Sequence, residues 1–163
     1  NQYYIQHVPL DQLVALAEPY FASANIDLTV GPDVSAAIEA QRTRAKTLVE
    51  IAEQSRLFYD DYTLDDGAAK KHLRPVIGPA LRAVREAFSE VSPWEGEVLR
   101  NLVEEIAAAH GLKMGKVAQP LRVAITGSAA SPSIDVTLEL IGKSGTLARL
   151  DGALAYISAR ATA

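Results

Sequence analysis

Cysteine is absent from this chain of 163 residues, and methionine and tryptophan each occur once. The absence of cysteine excludes disulfides, thiolate zinc sites and cysteine nucleophiles, and it fits a reducing compartment such as the cytoplasm. No run of about 18 apolar residues occurs, and the opening NQYYIQHVPL has neither the basic nor the apolar part of a secretion signal. We therefore expect a cytoplasmic chain without a membrane-spanning segment.

Apolar residues make up 48% of the sequence, which is enough for one ordinary domain or two small helical ones. The sequence opens on NQYYI without an initiator methionine, so we expect a fragment of a longer polypeptide. The formal net charge of −4 argues against indiscriminate binding to nucleic acid, because neutralising phosphates needs a basic excess. Basic residues nevertheless gather within 42–46, 70–74 and 113–122, so any anion-binding surface must be local.

Apolar residues recur at helical spacing along most of the chain, which predicts a mainly helical protein. Asp33 is predicted to cap the start of one helix, and Gly111 to follow the end of another. The stretch 34–52 fits either one helix or two. The clearest stripes are Leu13, Val14, Ala17 and Phe21; Ile77, Leu81, Val84, Phe88 and Val91; Val98, Leu99, Leu102, Val103 and Ile106; and Leu147, Leu150, Leu154 and Ile157.

Serine and proline pairs mark further predicted helix starts. In SPWE, Ser92 and Glu95 have the spacing of a capping box, with a proline at the first helical position. By the same reasoning Ser131 is predicted to be an N-cap, and Pro120 of QPLR to lie at a helix start. Residues 134–140 alternate apolar and polar, which fits a strand as well as a helix. We prefer a helix, because no other segment offers a strand to pair with.

Motifs for catalysis and metal binding are missing. His7, His72 and His110 lie far apart, so we expect no metal site. TGSAAS around Ser128 is not a nucleophile elbow, and GKVAQP at 115–120 lacks the spacing of a phosphate-binding loop. By composition alone, the acidic net charge favours a helical protein-interaction module. An RNA-binding module is the alternative. A small helical enzyme has no support from any group of residues.

The stretch GLKMGKVAQPLRVAITGSAASPSIDVTLELIGKSGTLARL, residues 111–150, closely resembles the C-terminal anticodon-binding region of bacterial glutamyl-tRNA synthetases. That family has a lysine-glycine element, QPLR, a TG step, a Ser/Thr-Pro pair and LLGK followed by RL, in this order. The resemblance extends over the whole chain, with RAKTLVEI and LFYDDY similar to the first anticodon-binding helices and their exit. The chain departs from the family at Ser144 and Gly145, where a charged residue is frequent.

This resemblance implies an all-α, multihelical domain with one helical subdomain over residues 1–56 and a second over 57–163. It implies tRNA as the partner, through the anticodon loop of glutamate tRNA. The parent would be a monomeric glutamate–tRNA ligase that attaches glutamate using ATP and Mg²⁺. The nucleotide-binding signatures of its catalytic part are missing here, and KMGK at 113–116 is not the signature lysine loop. We therefore expect the chain alone to be neither catalytic nor cofactor-binding.

The resemblance also assigns residues to the anticodon. Arg44 stands where the family has an arginine that selects cytosine as the third anticodon base. A guanidinium donates to O2 and N3 of cytosine but opposes the N1 and N2 donors of guanine. Glutamate anticodons end in cytosine and glutamine anticodons in guanine, so we expect discrimination against glutamine tRNA. Arg122 matches the QPLR arginine, and Ser131, Pro132 and Ile134 match the turn beside the first two anticodon bases. The candidate phosphate contacts are Lys113, Lys116 and Lys143.

Overall fold

The computed structural model describes residues 1–60 and 62–162 of the chain. These residues form ten α-helices and two short 3-10 helices and contain no strand, which confirms the predicted all-α fold. None of the helices within these ranges is long and apolar enough to cross a membrane. The chain folds as two compact units, Asn1–Tyr62 and Thr63–Ala163. The subdomain boundary after residue 56 stays a prediction.

The first unit is built around helix α2. Leu13, Ala17 and Phe21 recur at helical spacing in α2 and are completely buried, as the apolar stripe predicts. Helices α3 and α4 both pack against α2, so the stretch 34–52 holds two helices. The bounds are α1 Gln2–His7, α2 Leu10–Ser23, α3 Val34–Gln41 and α4 Leu48–Ser55, followed by a 3-10 helix Arg56–Phe58.

Side-chain caps fix where α3 and α4 begin. The Asp33 carboxylate accepts a hydrogen bond from the backbone N–H of Ser35 at 2.8 Å, which confirms the predicted N-cap. The Thr47 hydroxyl accepts one from the backbone N–H of Glu50 at 3.1 Å. Each cap satisfies a backbone donor that the first turn of a helix cannot pair internally.

Tyr59 joins the end of the first unit to the loop that precedes α3. Its hydroxyl donates to the carbonyl oxygen of Pro32 at 3.0 Å, and its ring packs edge-on against Phe21. Gly31, with φ +97°, approaches so closely that a Cβ atom there would lie 2.8 Å from both the Phe58 carbonyl oxygen and the Tyr59 ring. Burial, assisted by the nearby Asp33 charge, raises the pKa of Tyr59 to about 12.

Helix α8 is the centre of the second unit. Val117, Leu121, Val123 and Ala124 are all completely buried, and α5, α6, α7 and α10 pack around the helix. The bounds are α5 Asp66–His72, a 3-10 helix Pro75–Ile77, α6 Gly78–Ser89, α7 Gly96–Ala109, α8 Met114–Thr126, α9 Ile134–Ile141 and α10 Lys143–Ala161.

The alternating segment 134–140 is helical, as preferred. Ile134 and Leu138, four residues apart, both lie in the core of the second unit, and α9 packs against α7. Gly111 is confirmed as the residue that follows α7. With φ +68° it donates to the Ala108 carbonyl oxygen at 3.0 Å, while Leu112 donates to that of Ala107 at 2.8 Å. These two hydrogen bonds form a Schellman motif.

The predicted capping box at SPWE is wrong. Helix α7 begins at Gly96, so Ser92 and Pro93 precede it, and no local side chain caps its first turn. A carboxylate oxygen of Glu139 in α9 instead accepts a hydrogen bond from the Gly96 backbone N–H at 2.6 Å. Trp94 adds a second link, because its indole N–H donates to the Leu138 carbonyl oxygen at 2.8 Å. The start of α7 is therefore fixed by tertiary contacts with α9.

Two other predicted helix starts are also wrong. Pro120 lies within α8, and α9 begins at Ile134, after the pair Ser131 and Pro132. Pro120 and Lys116 both line an open groove in the second unit. Pro120 has no N–H to donate to the Lys116 carbonyl, so this helical hydrogen bond is missing within α8.

Replacing Gly96 by alanine is expected to destabilise the chain by about 1–3 kcal/mol. A Cβ atom at this position would lie 2.8 Å from the backbone carbonyl oxygen of Asp135, so α7 and α9 would have to separate. Gly152, within α10, has no heavy atom within 4 Å of a Cβ position, and Gly152→Ala is expected to stabilise by up to about 1 kcal/mol. Urea denaturation of both variants measures the difference. Equal effects would contradict the close approach at Gly96.

Raising the pH is expected to destabilise the first unit through Tyr59. Its pKa is about 12 in the folded chain, whereas an unfolded tyrosine titrates near 10. Ionisation therefore favours unfolding progressively as the pH rises from about 10 to about 12, and this contribution is fully present below pH 10. Thermal denaturation of wild type and Tyr59→Phe across this range tests the effect. The variant should lose less stability than the wild type; parallel curves would contradict the burial of the hydroxyl.

Candidate nucleic-acid interface

Arg42 and Arg44 lie two residues apart in the first unit but have different partners. Arg42 donates to the carbonyl oxygens of Ile5, at 2.9 and 3.2 Å, and of Val8. It also pairs with Glu39 at 3.1 Å. These bonds fasten the end of α1, so Arg42 has a structural role.

Arg44 is held by a buried glutamine. Its Nη1 donates to Oε1 of Gln41 at 2.7 Å, and Gln41, completely buried, donates in turn to the backbone carbonyl of Gln54 at 2.9 Å. Partial burial lowers the pKa of the Arg44 guanidinium, which still stays protonated at neutral pH. Within residues 1–60 and 62–162, Gln41 is its one hydrogen-bonding partner. The other N–H groups of Arg44 are therefore available to a ligand.

In the second unit, Arg122 is bound to the segment that links α8 and α9. Its Nη1 donates to the Ser131 hydroxyl at 2.8 Å and to the Pro132 carbonyl oxygen at 3.1 Å. The Ser131 hydroxyl donates to the same carbonyl at 2.7 Å, and so does that of Thr137 at 3.1 Å. We name Arg122, Ser131, Pro132 and Thr137 the turn cluster. It joins three sequence-predicted residues in one hydrogen-bonded group.

Other side chains of α8 hold the same segment. Gln119 donates to the Ala129 carbonyl oxygen at 2.7 Å. The Thr126 hydroxyl lies 2.7 Å from the Arg122 carbonyl oxygen and accepts a hydrogen bond from the Ser128 backbone N–H at 3.2 Å. Residues 119, 122 and 126 share one face of α8, since residues three and four apart are neighbours on a helix.

Sequence reasoning missed three of these positioning residues: Gln41, Gln119 and Thr137. A polar residue within an otherwise apolar helical stripe is the signal that could have found Gln41 and Thr137, both of which are completely buried. Their hydrogen-bond partners, however, are set by tertiary packing. The sequence alone therefore marks these residues as unusual without showing what they hold.

The remaining predicted residues differ in exposure. Pro132 and Ile134 are buried, so their side chains support the turn from the core of the second unit. That these two residues contact anticodon bases stays a prediction. Lys143 donates through Nζ to the Val91 carbonyl oxygen at 2.8 Å and thus already binds the segment after α6. Lys113 and Lys116 are exposed at the start of α8.

Lys113 and Lys116 line a groove of about 860 Å³ within the second unit. Its walls are the end of α5, the 3-10 helix Pro75–Ile77, the start of α6, the residues just after α7 and the first half of α8. No carboxylate lines it. We name it the basic groove after its charged or titratable lining residues, Lys71, His72, Arg74, His110, Lys113 and Lys116. Across the described residues 1–60 and 62–162, no group of three or more His, Cys, Asp or Glu side chains is placed to hold a metal ion.

The chain was compared with known proteins. Residues 12–154 match the family model described as an anticodon binding domain. Glutamate–tRNA ligase 1 of Nitrosococcus oceani is 44% identical over 165 residues, and the glutamate–tRNA ligase of Legionella pneumophila (strain Paris) is 38% identical over 164 residues. Each alignment covers 100% of this chain and 35% of the relative. The chain thus spans about a third of the length of these curated relatives.

Two solved structures share the fold. A glutamate tRNA ligase from Elizabethkingia meningosepticum, crystallised with its amino acid, has a TM-score of 0.84 at 26% identity, covering 96% of this chain and 31% of that one. A glutamate-tRNA synthetase from Elizabethkingia anophelis has a TM-score of 0.78 at 25% identity, covering 94% and 30%. The motifs, the helical architecture and the family match agree, and the chain belongs to the anticodon binding domain family.

Proposed function

We propose that this chain is the anticodon-binding part of a glutamate–tRNA ligase and that it binds the anticodon loop of glutamate tRNA. The observation that carries the proposal is the turn cluster, in which Arg122 is bonded to Ser131 and Pro132. These are the residues that the family resemblance assigns to the first two anticodon bases. The cluster lies within the stretch that matches the anticodon binding domain.

The bases of an anticodon loop are unstacked enough to be recognised on their Watson–Crick edges. A rigid segment can present backbone groups and small hydroxyls to such edges at little cost in entropy, because its own geometry is already fixed. Arg122 and Gln119 each donate a hydrogen bond to the segment 127–133, and Thr126 accepts one from Ser128, so the segment is fixed in this way. Pro132 and Ile134 support the turn from the core.

Arg44 supplies discrimination at the third anticodon base. Its guanidinium donates hydrogen bonds and accepts none, so cytosine, with O2 and N3 as acceptors, is bound and guanine is rejected. Its bond to Gln41 restricts the guanidinium before RNA arrives. A good bidentate contact is worth about 1–3 kcal/mol, or roughly 5- to 150-fold between the two bases. The chain therefore favours glutamate tRNA over glutamine tRNA.

The parent enzyme attaches glutamate to tRNA, as the names of the relatives support. ATP and Mg²⁺ would be held by the larger remaining part of such a ligase and not by this chain. We further propose that the parent acts as a monomer in the cytoplasm. In such a ligase, this chain selects the tRNA, and the residues that carry out the chemistry lie in the rest of the protein.

Replacing Arg44 by glutamine is expected to abolish the preference for cytosine. Binding of the full chain is measured for a synthetic anticodon stem–loop of glutamate tRNA and for the same RNA with guanine as the third base. Wild type should prefer cytosine by about 5- to 150-fold, and Arg44→Gln should bind both RNAs almost equally. Lys46→Gln, which removes a charge from an exposed side chain two residues away, should keep the preference. An unchanged preference in Arg44→Gln would refute its assignment.

Replacing Arg122 by glutamine is expected to weaken binding of the same stem–loop by about 5- to 150-fold, equally for cytosine and guanine at the third base. The loss follows from removing the donor that fastens Ser131 and Pro132. Arg100→Gln, at an exposed position in α7, is the control for loss of one charge. If both variants bind like wild type, the turn cluster does not contact RNA. An affinity for the stem–loop that does not change with salt concentration would instead favour a protein-interaction module.

A further inference from the structure

The charge of the chain is divided unevenly between its two units. Residues 1–62 contain 4 Lys and Arg against 9 Asp and Glu, whereas residues 63–163 contain 12 against 11. The acidic excess of the whole chain therefore belongs to the first unit. The net charge of −4 gives no reason to exclude a phosphate-binding surface on the second unit.

The cations of the basic groove are not neutralised by the protein. Lys71 and Arg74 come from the end of α5 and the segment after it, and Lys113 and Lys116 from the start of α8. Over the described ranges 1–60 and 62–162, none of these four makes an ion pair or a side-chain hydrogen bond. By contrast, Arg85 is paired with Asp151 at 2.8 Å. Unpaired cations that share one concave surface create a local positive potential that attracts anions.

The fold also cancels a negative charge that would oppose anions there. The end of α5 borders the groove, and the carbonyl groups at a helix C-terminus carry partial negative charge. Arg160 of α10 donates to three of them, those of Leu73 at 2.8 Å, Lys70 at 3.1 Å and Ala69 at 3.4 Å. A bound phosphate would therefore meet lysine and arginine side chains without a facing row of unpaired carbonyl oxygens.

The basic groove and the turn cluster both involve α8, and Gln119 links the two. Lys113, Lys116 and Gln119 all line the groove, and Gln119 also donates to the Ala129 carbonyl oxygen in the segment that Arg122 holds. Along the helix axis, Lys113 and Arg122 are separated by about 14 Å, at about 1.5 Å per residue. One strand of RNA following α8 could thus contact both ends, with bases at Arg122 and phosphates at the lysines.

The lining of the groove suits nucleotides better than a bare anion. Val76 is 79% exposed and Leu112 is 36% exposed, so apolar surface lies beside the cations. His72 and His110 also line the groove, and an imidazole ring is a side chain on which unpaired bases can stack. Together, cations for the backbone and apolar or ring surfaces for the bases match single-stranded RNA.

We propose that the basic groove is a second RNA-binding surface, which holds the sugar–phosphate backbone of nucleotides adjoining the anticodon. The proposal rests on the proposed function, since it extends the same RNA from the turn cluster along α8. Its new members are Lys71, His72, Arg74 and His110, which come from elements that precede α8. The groove supplies affinity without sequence information, because phosphate contacts are the same for every base.

The test compares two double variants of the full chain that remove equal charge. Lys71→Gln/Arg74→Gln alters the groove, and Lys70→Gln/Arg82→Gln alters two exposed cations that do not line it. Affinity for the synthetic anticodon stem–loop is measured over a range of salt concentrations. The slope of log affinity against log salt is negative, and losing two phosphate contacts should make it shallower by about 1.4 in the groove variant. The control should keep the wild-type slope, and both should keep the cytosine preference.

A phosphate scan locates the contact on the RNA. Single phosphates of the stem–loop are replaced by neutral methylphosphonates, and wild type should lose affinity at two or more of them near the anticodon. At these positions the groove variant should lose nothing further, which a double-mutant cycle measures directly. Melting of each variant by circular dichroism confirms that the exposed substitutions leave the fold intact.

The outcomes separate this inference from the proposed function. If the groove variant and its control have equal slopes while wild type still prefers cytosine, the groove inference is overturned and anticodon recognition stands. If wild type does not bind the stem–loop at all, the proposed function and the groove inference fail together. If the groove variant keeps its RNA affinity but loses binding to polyglutamate, the groove serves an acidic peptide, which also overturns the inference.

Discussion

The burial of α8 is the constraint on which the rest of the second unit depends. Four other helices pack around it, so most apolar side chains of α8 are completely removed from water. A helix in this position cannot shift without opening the core. Polar side chains on its remaining face, Gln119, Arg122 and Thr126, are consequently held at fixed places, and they determine where the segment 127–133 lies.

The same constraint relates base recognition to backbone contact. Arg122 of the turn cluster lies in the C-terminal half of α8, and the basic groove borders the N-terminal half. A rigid helix therefore sets the distance between the residues proposed to contact bases and those proposed to contact phosphates. In the first unit, the side chain that is anchored in the core is Gln41, which is completely buried and fixes the guanidinium of Arg44. In the second unit, the arginine itself holds the turn, because Arg122 donates to Ser131 and to the Pro132 carbonyl oxygen.

Features that depend on neighbouring residues were predictable from the sequence. The N-cap at Asp33, the end of α7 at Gly111 and the helical stripe of α2 each require only a few adjacent residues, and the structure confirms them. The start of α7 was not predictable, because its acceptor is Glu139, 43 residues away. Pro120 was assigned to a helix start because proline is common there. The neighbouring residues did not show that α8 continues through it, although Lys116 and Pro120 border an open groove.

The proposed site divides in the same way. The resemblance identified Arg44, Arg122, Ser131 and Pro132 through motifs, but it did not show which of them are bonded together or buried. Those properties follow from packing between α8 and α9 and between α3 and α4. Arg42 illustrates the point, since only the structure shows that it binds the end of α1 while Arg44, two residues on, keeps donors available.

Nuclear magnetic resonance of the isotope-labelled chain, titrated with the anticodon stem–loop of glutamate tRNA, tests the central claim most directly. The account predicts that the side-chain Nε signals of Arg44 and Arg122 and the backbone amides of 128–131 shift together on binding. With guanine as the third base, the Arg44 shift should be lost while that of Arg122 persists. Shifts confined to surfaces away from both arginines, with neither side chain responding, would contradict the account.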